Sequence, residues 1–434
     1  MERLIDKKLL EWKNTKGRKP LIIYGARQTG KTHSIMEFGA KNYSAIAYCY
    51  FDNNPALCEI FEQGFGSVGI LLERLKQHLL MDILPETTLI VFDEVQMCPA
   101  ALSSLKRFQE TAPRYHIIAA GSLLGVALRR EGYSFPVGKV DELKMYPLTF
   151  EEFLMEFQPR LLPVIRECFR KNEVMPKELH EQALNLFLNY LVIGGMPEAV
   201  VEYSKSNNYT LVKARQLAIC NNYISDMNKY TETKTQALRN EAVYNSLPSQ
   251  LAKENKKFQY ALIKSGARAN EYEISLNWLE KASVIIKCSK VSEGKEPLAN
   301  YEDFLSFKVY MSDVGLYNAK SNNSHLSVFG RTMGDTAIGA LTENYIAQHL
   351  HAAGIKFYYW ESNNQAEVDF VIQAENKIIP IEAKSWTSVR SQSLESFRKK
   401  YKINKAIRVS AKNFGFENGT KSVPLYAVWC IGSY

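Results

Sequence analysis

Residues 25–32 read GARQTGKT and fit the pattern G-x-x-x-x-G-K-[ST], a loop that cradles nucleotide phosphates between a strand and a helix. The apolar run LIIY at residues 21–24 is typical of a short buried strand, and residues 32–40 can form a helix. The two glycines let the backbone turn tightly and present its N–H groups. The motif and its flanks therefore predict a P-loop NTPase fold of the α/β class.

The loop predicts a set of nucleotide-binding residues. These are Gly25, Ala26, Arg27, Gln28, Thr29, Gly30, Lys31, Thr32 and His33. We expect the Lys31 ammonium to reach the β- and γ-phosphates and the Thr32 hydroxyl to bind Mg²⁺. The N-terminus of the following helix adds the positive end of its dipole. ATP and Mg²⁺ are the predicted ligands, and a chance match in a glycine-containing loop is the alternative.

Two adjacent acids follow a second apolar run, LIVFDE at residues 89–94. We expect Asp93 at the strand end to bind Mg²⁺ and Glu94 to act as general base on the attacking water. A base for water favours a hydrolase over a small-molecule kinase, because a kinase activates its acceptor instead. The alternative is a buried strand that ends in surface acids.

A third apolar run, HIIAA at residues 116–120, ends in Gly121 and Ser122. A polar residue at such a strand end can sense the γ-phosphate, and Ser122 is the candidate for this catalytic role. A helix cap after the strand is the alternative. Strands that alternate with helices from residue 21 to about residue 149 predict a parallel sheet with helices on both faces.

Composition narrows the class of protein further. The chain has 434 residues, 46% of them hydrophobic and 23% charged, and no apolar run approaches the roughly 20 residues that span a bilayer. Seven cysteines without a C-x-x-C pair favour a reducing, cytoplasmic environment and argue against a cysteine zinc site. A net charge of +8 permits DNA as a partner without requiring it.

Several segments together resemble one family. In chain order they are GARQTGKT, LIVFDEVQ, AAGSLL, MYPLTFEEFL (145–154), YLVIGGMPEAV (190–200), KVYMSDVGL (308–316), GALTENYIAQHL (339–350), YYWESNNQAEVDFVI (358–372) and IIPIEAKS (378–385). The sequence resembles bacterial and archaeal AAA-type ATPases whose C-terminal domain of unknown function has a restriction-endonuclease-like core. The resemblance covers nearly the whole chain. It implies ATP binding more specifically than any activity of the C-terminal domain.

The chain departs from this family shortly before the PLTF segment. Relatives carry Gly-Arg there, whereas this chain has Gly138-Lys139. Lysine replaces a planar, forked donor by a point charge, so the sequence does not identify an arginine finger. Arg129 and Arg130 are nearby substitutes, and an exposed helix face is the alternative explanation for both.

The middle of the chain predicts helices up to about residue 240 and then a winged-helix module. Leu247-Pro248-Ser249 predicts a break between two helices, and residues 271–282 predict a further helix. Residues 284–288 and 307–311 predict the wing strands. Basic residues in this module favour DNA binding, but acids at the start of the third helix favour a solvated face, and both interpretations stay open.

Residues near the C-terminus bring together three carboxylates and a lysine. Asp369 lies on one predicted strand, and Glu382 and Lys384 lie two apart on the next, so their side chains share a face. With Glu343 from an upstream helix, they look like the PD-(D/E)xK arrangement of restriction-type nucleases. That resemblance implies a metal held by Asp369 and Glu382. A cross-strand ion pair is the alternative.

The sequence thus predicts an ATP-binding and ATP-hydrolysing protein that couples nucleotide state to a nuclease-like domain. The predicted domains are a P-loop AAA-type core (1–155), a helical region (156–240), a winged-helix-like module (241–320) and a restriction-endonuclease-like α/β domain (321–434). An ATP-controlled DNA nuclease in repair or defence is one alternative. A nucleotide-gated regulatory or DNA-binding switch with little turnover is another. Assembly into a homo-oligomer stays open, and no membrane partner is expected.

Overall fold

The computed structural model describes residues 1–63, 66–122, 136–254, 256–330, 332–362, 366–374, 376–384 and 392–433. The chain divides into two compact units. Residues 2–146 with 281–283 form the first, and residues 147–280 with 284–434 form the second. Arg129 and Arg130 lie outside the described residues. The bounds of the four predicted domains stay predictions.

The first unit is built on a five-stranded parallel sheet in the order β2-β3-β4-β1-β5. Its elements are α1 (Leu4–Asn14), β1 (Leu21–Tyr24), α2 (Lys31–Asn42), β2 (Ala45–Tyr50), α3 (Pro55–Glu62), α4 (Val68–Leu79), β3 (Thr88–Asp93), a 3₁₀ turn (Val95–Met97), α5 (Pro99–Thr111), β4 (His116–Gly121) and β5 (Asp141–Lys144). Strands β3 and β4 are buried throughout, because helices cover both faces. The predicted α/β class and parallel sheet are confirmed.

The order of the strands places β4 between β1, which leads into the P-loop, and β3, which ends in the acids. All three strands run parallel, so their carboxyl ends meet at one edge of the sheet. In open α/β sheets ligands bind outside this edge, where the strand order reverses. The topology thereby gathers the three sequence motifs at one place.

The second unit joins a helical region to an eight-stranded mixed sheet in the order β12-β13-β11-β10-β9-β8-β6-β7. Its helices are α6 (Phe150–Phe157), α7 (Leu161–Lys171), α8 (Lys177–Ile193), α9 (Pro197–Ser206), α10 (Tyr209–Tyr230), α11 (Lys234–Leu251), α12 (Ala269–Lys281), α13 (Val314–Lys320), α14 (His325–Phe329), α15 (Asp335–Ala352) and α16 (Gln392–Tyr401). Its strands are β6 (Ile285–Val291), β7 (Glu302–Met311), β8 (Phe357–Ser362), β9 (Ala366–Ala374), β10 (Lys377–Ala383), β11 (Ala406–Ser410), β12 (Gly415–Glu417) and β13 (Thr420–Pro424). Short 3₁₀ turns cover Tyr260–Leu262, Leu298–Tyr301 and Leu425–Ser433.

In the region predicted as a winged helix, the predicted helix break is absent, and the two predicted strands are present. Helix α11 runs through Pro248 to Leu251, so the predicted helix break is wrong. Because Pro248 lies in the last turn, it removes one hydrogen bond shortly before the helix ends. The two predicted strands form the antiparallel pair β6–β7, which extends the eight-stranded sheet through β8.

A buried polar knot ties the helical region to this sheet. Asp313 accepts hydrogen bonds from the backbone N–H groups of Gly195, at 2.6 Å, and Leu316, at 2.9 Å. Burial raises the pKa of Asp313 to about 6, although these donors favour its charged form. A Cβ at Gly195 would collide with the carbonyl oxygen of Leu148. Glycine is therefore required where the two segments cross.

Helix α15 completes the knot with two side chains. Gln348 accepts from the N–H of Val314 at 2.9 Å and donates to the Tyr190 hydroxyl at 2.9 Å. His349 accepts from the N–H of Phe150 at 2.7 Å, and burial lowers the pKa of this histidine to about 4. Segments that the sequence analysis grouped only by resemblance thus meet in one buried network.

Among the described helices, none is by itself both long and apolar enough to cross a bilayer. The consecutive pair α8 and α9, bent by 119°, reaches that length and composition only when the two are taken together.

Candidate functional site

The P-loop begins where β1 ends, and its shape depends on two glycines. Gly25 has φ 144°, and a Cβ there would collide with the backbone oxygen of Met145. Gly30 has φ 91° and is the N-cap of α2. Both positions lie in the region of φ that favours glycine, so the loop can follow a path that other residues would strain.

Lys31 is buried inside the loop, with 8% of its surface exposed. Its ammonium donates to the carbonyl oxygens of Gly25, at 3.1 Å, and Ala26, at 2.7 Å. Burial lowers the pKa of Lys31 to about 8, while the carboxylates of Glu94 and Asp93 act in the opposite direction. The loop thus holds a partly desolvated cation beside two acids, where a phosphate would interact with it strongly.

Asp93 is held by hydroxyl groups from two other elements. One carboxylate oxygen accepts from the Thr32 hydroxyl at 2.8 Å and from the Tyr48 hydroxyl at 2.7 Å. The other accepts from the backbone N–H of Glu94 at 3.0 Å. The predicted metal residues Thr32 and Asp93 are therefore in direct contact, and both offer the oxygen atoms that Mg²⁺ prefers.

Glu94 follows in a left-handed conformation, with φ 50°, which non-glycine residues rarely adopt. Its carboxylate accepts from the Ser122 hydroxyl at 3.3 Å and from the side-chain amide of Gln96. Ser122 reaches Glu94 because β4 lies directly beside β3. The structure therefore brings the proposed base and the proposed sensor together, while their catalytic roles stay predictions.

Three contributing residues were not found by the sequence analysis. Tyr48 and Gln96 orient the two acids, and Arg3 donates to the carbonyl oxygens of Thr29 and Tyr146, each at 2.9 Å. Arg3 thereby braces the P-loop from outside the motif. Tyr48 could have been found from the parallel pairing of β2 with β3, but Arg3 has no local sequence signal.

Two further residues named from the sequence, His33 and Lys139, lie close to carboxylates on exposed side chains. His33 is exposed and lies 3.5 Å from Glu37, one turn further along α2. Lys139 forms an ion pair with Glu110 at 2.9 Å. Both side chains are solvent-accessible, so these pairs contribute little to stability.

The carboxylates predicted for the C-terminal site have charged partners. Glu343 contacts the ammonium groups of Lys256 and Lys308 and accepts from the Tyr310 hydroxyl at 3.2 Å. Lys308 is 1% exposed and also pairs with Glu367. We call Lys256, Lys308, Glu343, Glu367 and Asp369 the buried charge cluster, after the buried side chains of Lys308 and Glu343 at its centre.

Opposite charges outweigh burial in setting the pKa of Lys308 and Glu343, but not that of Asp369. Burial alone would lower the pKa of Lys308, but the carboxylates of Glu343, Glu367 and Asp369 outweigh it and raise that pKa. Burial opposes ionisation of Glu343, yet Lys256 and Lys308 hold its pKa below the usual value. Burial and then the charge of Glu343 raise the pKa of Asp369 to about 7.

Asp369 and Glu382 lie on the paired strands β9 and β10, and Lys384 directly follows β10. The register sets Ile381 opposite Phe370, so the next residues, Glu382 and Asp369, also come opposite each other and share a face. Asp369 accepts from the N–H of Ala383 at 2.8 Å, and Glu382 pairs with Lys384 at 2.9 Å.

The remaining oxygen of Glu382, Oε2, is buried without a hydrogen-bond partner among the described residues. Within the described part of the chain, no three acidic, histidine or cysteine side chains are arranged to hold a metal ion. A metal shared by Asp369 and Glu382 therefore stays a prediction. The Glu382–Lys384 ion pair joins two residues of the same segment, so it is not the cross-strand pair that was the alternative.

Comparison with protein families assigns the first part of the chain. Residues 17–154 match an AAA domain, and the P-loop geometry agrees with this match. Residues 184–327 match a domain of unknown function, DUF8612, and residues 338–431 match another, DUF4143. The N-terminal region is thus similar to AAA domains over residues 17–154. The restriction-endonuclease-like identity of the C-terminal sheet is not established.

The solved structures that are similar to this chain share little sequence identity with it. A Walker-type ATPase of Pyrococcus abyssi has 15% identity and a TM-score of 0.40, with 73% of this chain and 94% of that chain covered. The ORC1 protein of Aeropyrum pernix, solved with DNA, has 14% identity and a TM-score of 0.29, with coverages of 76% and 92%. AMPPCP-bound DnaA of Aquifex aeolicus has 14% identity and a TM-score of 0.25, with coverages of 63% and 86%. No curated protein matches the chain.

Proposed function

We propose that the first unit hydrolyses ATP with Mg²⁺ and that its nucleotide state controls the second unit. The observation that carries this proposal is the contact between Thr32 and Asp93 at 2.8 Å, with Glu94 next in the chain. One hydroxyl and one carboxylate at a P-loop form the donor set that suits Mg²⁺. When bound, Mg²⁺ would neutralise charge that develops on the phosphates.

Each residue has a separate task in this proposal. Lys31 leaves the carbonyl oxygens of its own loop and donates to phosphate, gaining a charged partner for a neutral one. Thr32 and Asp93 hold the metal, and Glu94 takes a proton from the attacking water. Ser122 and Gln96 keep the Glu94 carboxylate in one orientation, so that its free lone pairs face a defined direction.

The direct test substitutes Lys31. Lys31→Ala should lower ATP affinity or turnover on the order of a hundredfold or more, because a desolvated charge contact is lost. Lys41→Ala is the matched control, since Lys41 is an exposed lysine on the same helix that pairs with Glu37. Calorimetry with ATP and a phosphate-release assay would measure both effects. Unchanged binding in a folded Lys31→Ala protein would refute the site.

Turnover measured with and without DNA separates the proposed ATPase from a nucleotide-gated switch. Enzymes commonly turn over at about 1–10³ per second. Tight ATP binding with turnover far below about one per minute would support a switch, in which bound nucleotide orders an interface. Acceleration by DNA would support coupling between nucleotide turnover and a nucleic-acid partner.

A metal-dependent nuclease is a second candidate for the second unit. The shared face of Asp369 and Glu382 and the buried, unpartnered oxygen of Glu382 among the described residues favour it. Glu382→Ala should then abolish Mg²⁺- or Mn²⁺-dependent cleavage of plasmid DNA while ATP hydrolysis continues. Cleavage that persists in this variant would come from another site or from a contaminant.

A further inference from the structure

A cavity of about 290 Å³ lies in the second unit, near the beginning of three neighbouring strands. Its walls include Arg170, Asn172, Lys377, Lys405, Phe416 and Lys421. Strands β10, β11 and β13 run parallel, so their N-terminal ends bring the three lysines to one edge. Arg170 comes from the last turn of α7. Neither the P-loop nor the nuclease-like residues contribute to this cavity.

The charged side chains in the described lining of the cavity are all positive. Four of the lining residues are cations, and the described lining includes no carboxylate. Lys421 is 5% exposed and lies with its ammonium 3.7 Å from the centre of the Phe169 ring. Burial lowers the pKa of Lys421, and the positive charge of Lys405 adds to this effect. An anion in the cavity would relieve this repulsion.

Two further features point to more than a simple anion. The Asn172 oxygen Oδ1 is buried without a hydrogen-bond partner in the described part of the chain, and an acceptor of this kind needs a donor. Phe416 on the edge strand β12 is 55% exposed, so its ring can stack against a flat ligand. A ligand with a phosphate, an N–H or O–H donor and an aromatic ring would use all three features.

We propose that this cavity binds the phosphate of a nucleotide, free or at the end of a single-stranded nucleic acid, with its base against Phe416. The cavity volume is near the lower end of ligand pockets, which suits one nucleotide. Lys377 lies five residues before Glu382 on β10, about 17 Å away along an extended strand. The site is therefore distinct from the nuclease-like face, and it does not depend on ATP hydrolysis.

The experiment uses the full chain and a 5′-phosphorylated, 3′-fluorescent five-residue thymidine oligonucleotide. Fluorescence anisotropy would compare wild type with the double variant Arg170→Ala, Lys377→Ala, both exposed positions. The matched control is Lys399→Ala, an exposed lysine on α16 outside the lining. The double variant should bind at least roughly tenfold more weakly, because two charged contacts are lost. The control and Lys31→Ala should both bind as wild type does.

Salt dependence gives a second, independent readout. The slope of log affinity against log salt should decrease in magnitude by about 1.4 in the double variant, since each lost phosphate contact on a single strand accounts for about 0.7. Equal affinity and equal slope in wild type and double variant would overturn the proposal. The proposal would also be overturned if wild type showed no measurable binding at millimolar concentrations of free ligand.

Competitors then distinguish the source of the nucleotide. If thymidine 5′-monophosphate fully displaces the labelled oligonucleotide, a free nucleotide is sufficient for binding. If the oligonucleotide stays bound, the cavity recognises the end of a strand. Phe416→Leu should bind the oligonucleotide and thymidine 5′-monophosphate, the two probes, roughly tenfold more weakly than wild type does. Inorganic phosphate, which has no base, should compete equally well in both proteins. If Phe416→Leu binds both probes as tightly as wild type, the assignment of a base to Phe416 is overturned.

Discussion

The two groups of carboxylates in this protein differ in the charge of their partners. Asp93 and Glu94 accept hydrogen bonds mainly from neutral groups, namely hydroxyls, an amide side chain and the backbone. Glu343 and Glu367 contact the ammonium groups of two lysines that are largely removed from solvent. The first arrangement orients negative charge, and the second neutralises it.

This difference separates a site prepared for a cation from one that already contains cations. A carboxylate with neutral partners keeps its full attraction for Mg²⁺, and its hydroxyl neighbours can join the coordination shell. A carboxylate paired with buried ammonium groups would lose that pairing to a metal and leave a desolvated lysine. We therefore expect substitutions of the carboxylates and their partners to affect catalysis in the first unit and stability in the second.

The largest expected effect concerns Glu94. Glu94→Gln keeps the side-chain shape and removes its basicity, so ATP should still bind while hydrolysis slows roughly 10²–10⁴-fold. Single-turnover phosphate release and nucleotide binding would be measured on the same preparation. Asp93→Asn should instead weaken Mg²⁺-dependent binding. Near-normal turnover of Glu94→Gln would mean that another residue activates the water.

The next effect tests whether the buried charge cluster is structural. Lys308→Met should lower the free energy of unfolding by about 3–5 kcal/mol, because Glu343 and Glu367 would each lose a buried counterion. Lys356→Met is the control, since Lys356 pairs with Glu302 at 2.9 Å on an exposed side chain and should cost at most about 1 kcal/mol. Urea unfolding of both variants would compare them. If both variants lost similar stability, the buried charge cluster would be no more important for stability than an exposed ion pair.

A smaller effect depends on pH through Asp369. Its pKa is raised to about 7 in the folded protein, so the folded state holds this proton between about pH 4 and pH 7 while the unfolded state has released it. The stability that this carboxyl contributes is therefore complete below about pH 4 and is lost as the pH rises through 7. Relative to Asp369→Asn, wild type should lose roughly 1–2 kcal/mol between pH 5 and pH 7. A constant difference across this range, measured by denaturant titration, would contradict the assignment.

The smallest effect concerns the hydroxyl groups that hold Asp93 in the first unit. Tyr48→Phe removes one of the two hydroxyls that hold a single oxygen of Asp93, and the Thr32 contact remains. The expected cost is about 0.5–1.5 kcal/mol in stability or in the free energy of Mg²⁺-ATP binding. Thermal unfolding with and without Mg²⁺-ATP would show whether the substitution affects stability or Mg²⁺-ATP binding. A loss as large as that of Lys31→Ala would make Tyr48 part of the binding machinery itself.

Local patterns were sufficient for the P-loop and its acids because the chemistry lies within short segments. The motif at residues 25–32 and the strand that ends at Asp93 could both be identified without knowing the fold. The contact between Ser122 and Glu94 required the order of the strands, which no single segment contains. Arg3 could not be found at all, because it is linked to Thr29 only by tertiary folding.

The second unit was harder to predict because its important contacts join distant segments. Residue type and spacing were sufficient to identify Glu343, Asp369, Glu382 and Lys384. No local pattern indicates that Lys256 and Lys308 neutralise Glu343, since 87 residues separate Lys256 from that partner. The expected helix break at Pro248 failed for a local reason, because a proline in the last turn of a helix removes little hydrogen bonding.

The polar knot of the second unit has a consequence for how its backbone exchanges with solvent. The N–H groups of Leu148, Gly195 and Val314 donate to buried acceptors on segments far apart in sequence. Such amides exchange hydrogen for deuterium only when both segments separate, so their protection reports the opening of the whole unit rather than of one helix. Residues 147–195 and the sheet that follows should therefore open as one cooperative body, with these amides among its last to exchange.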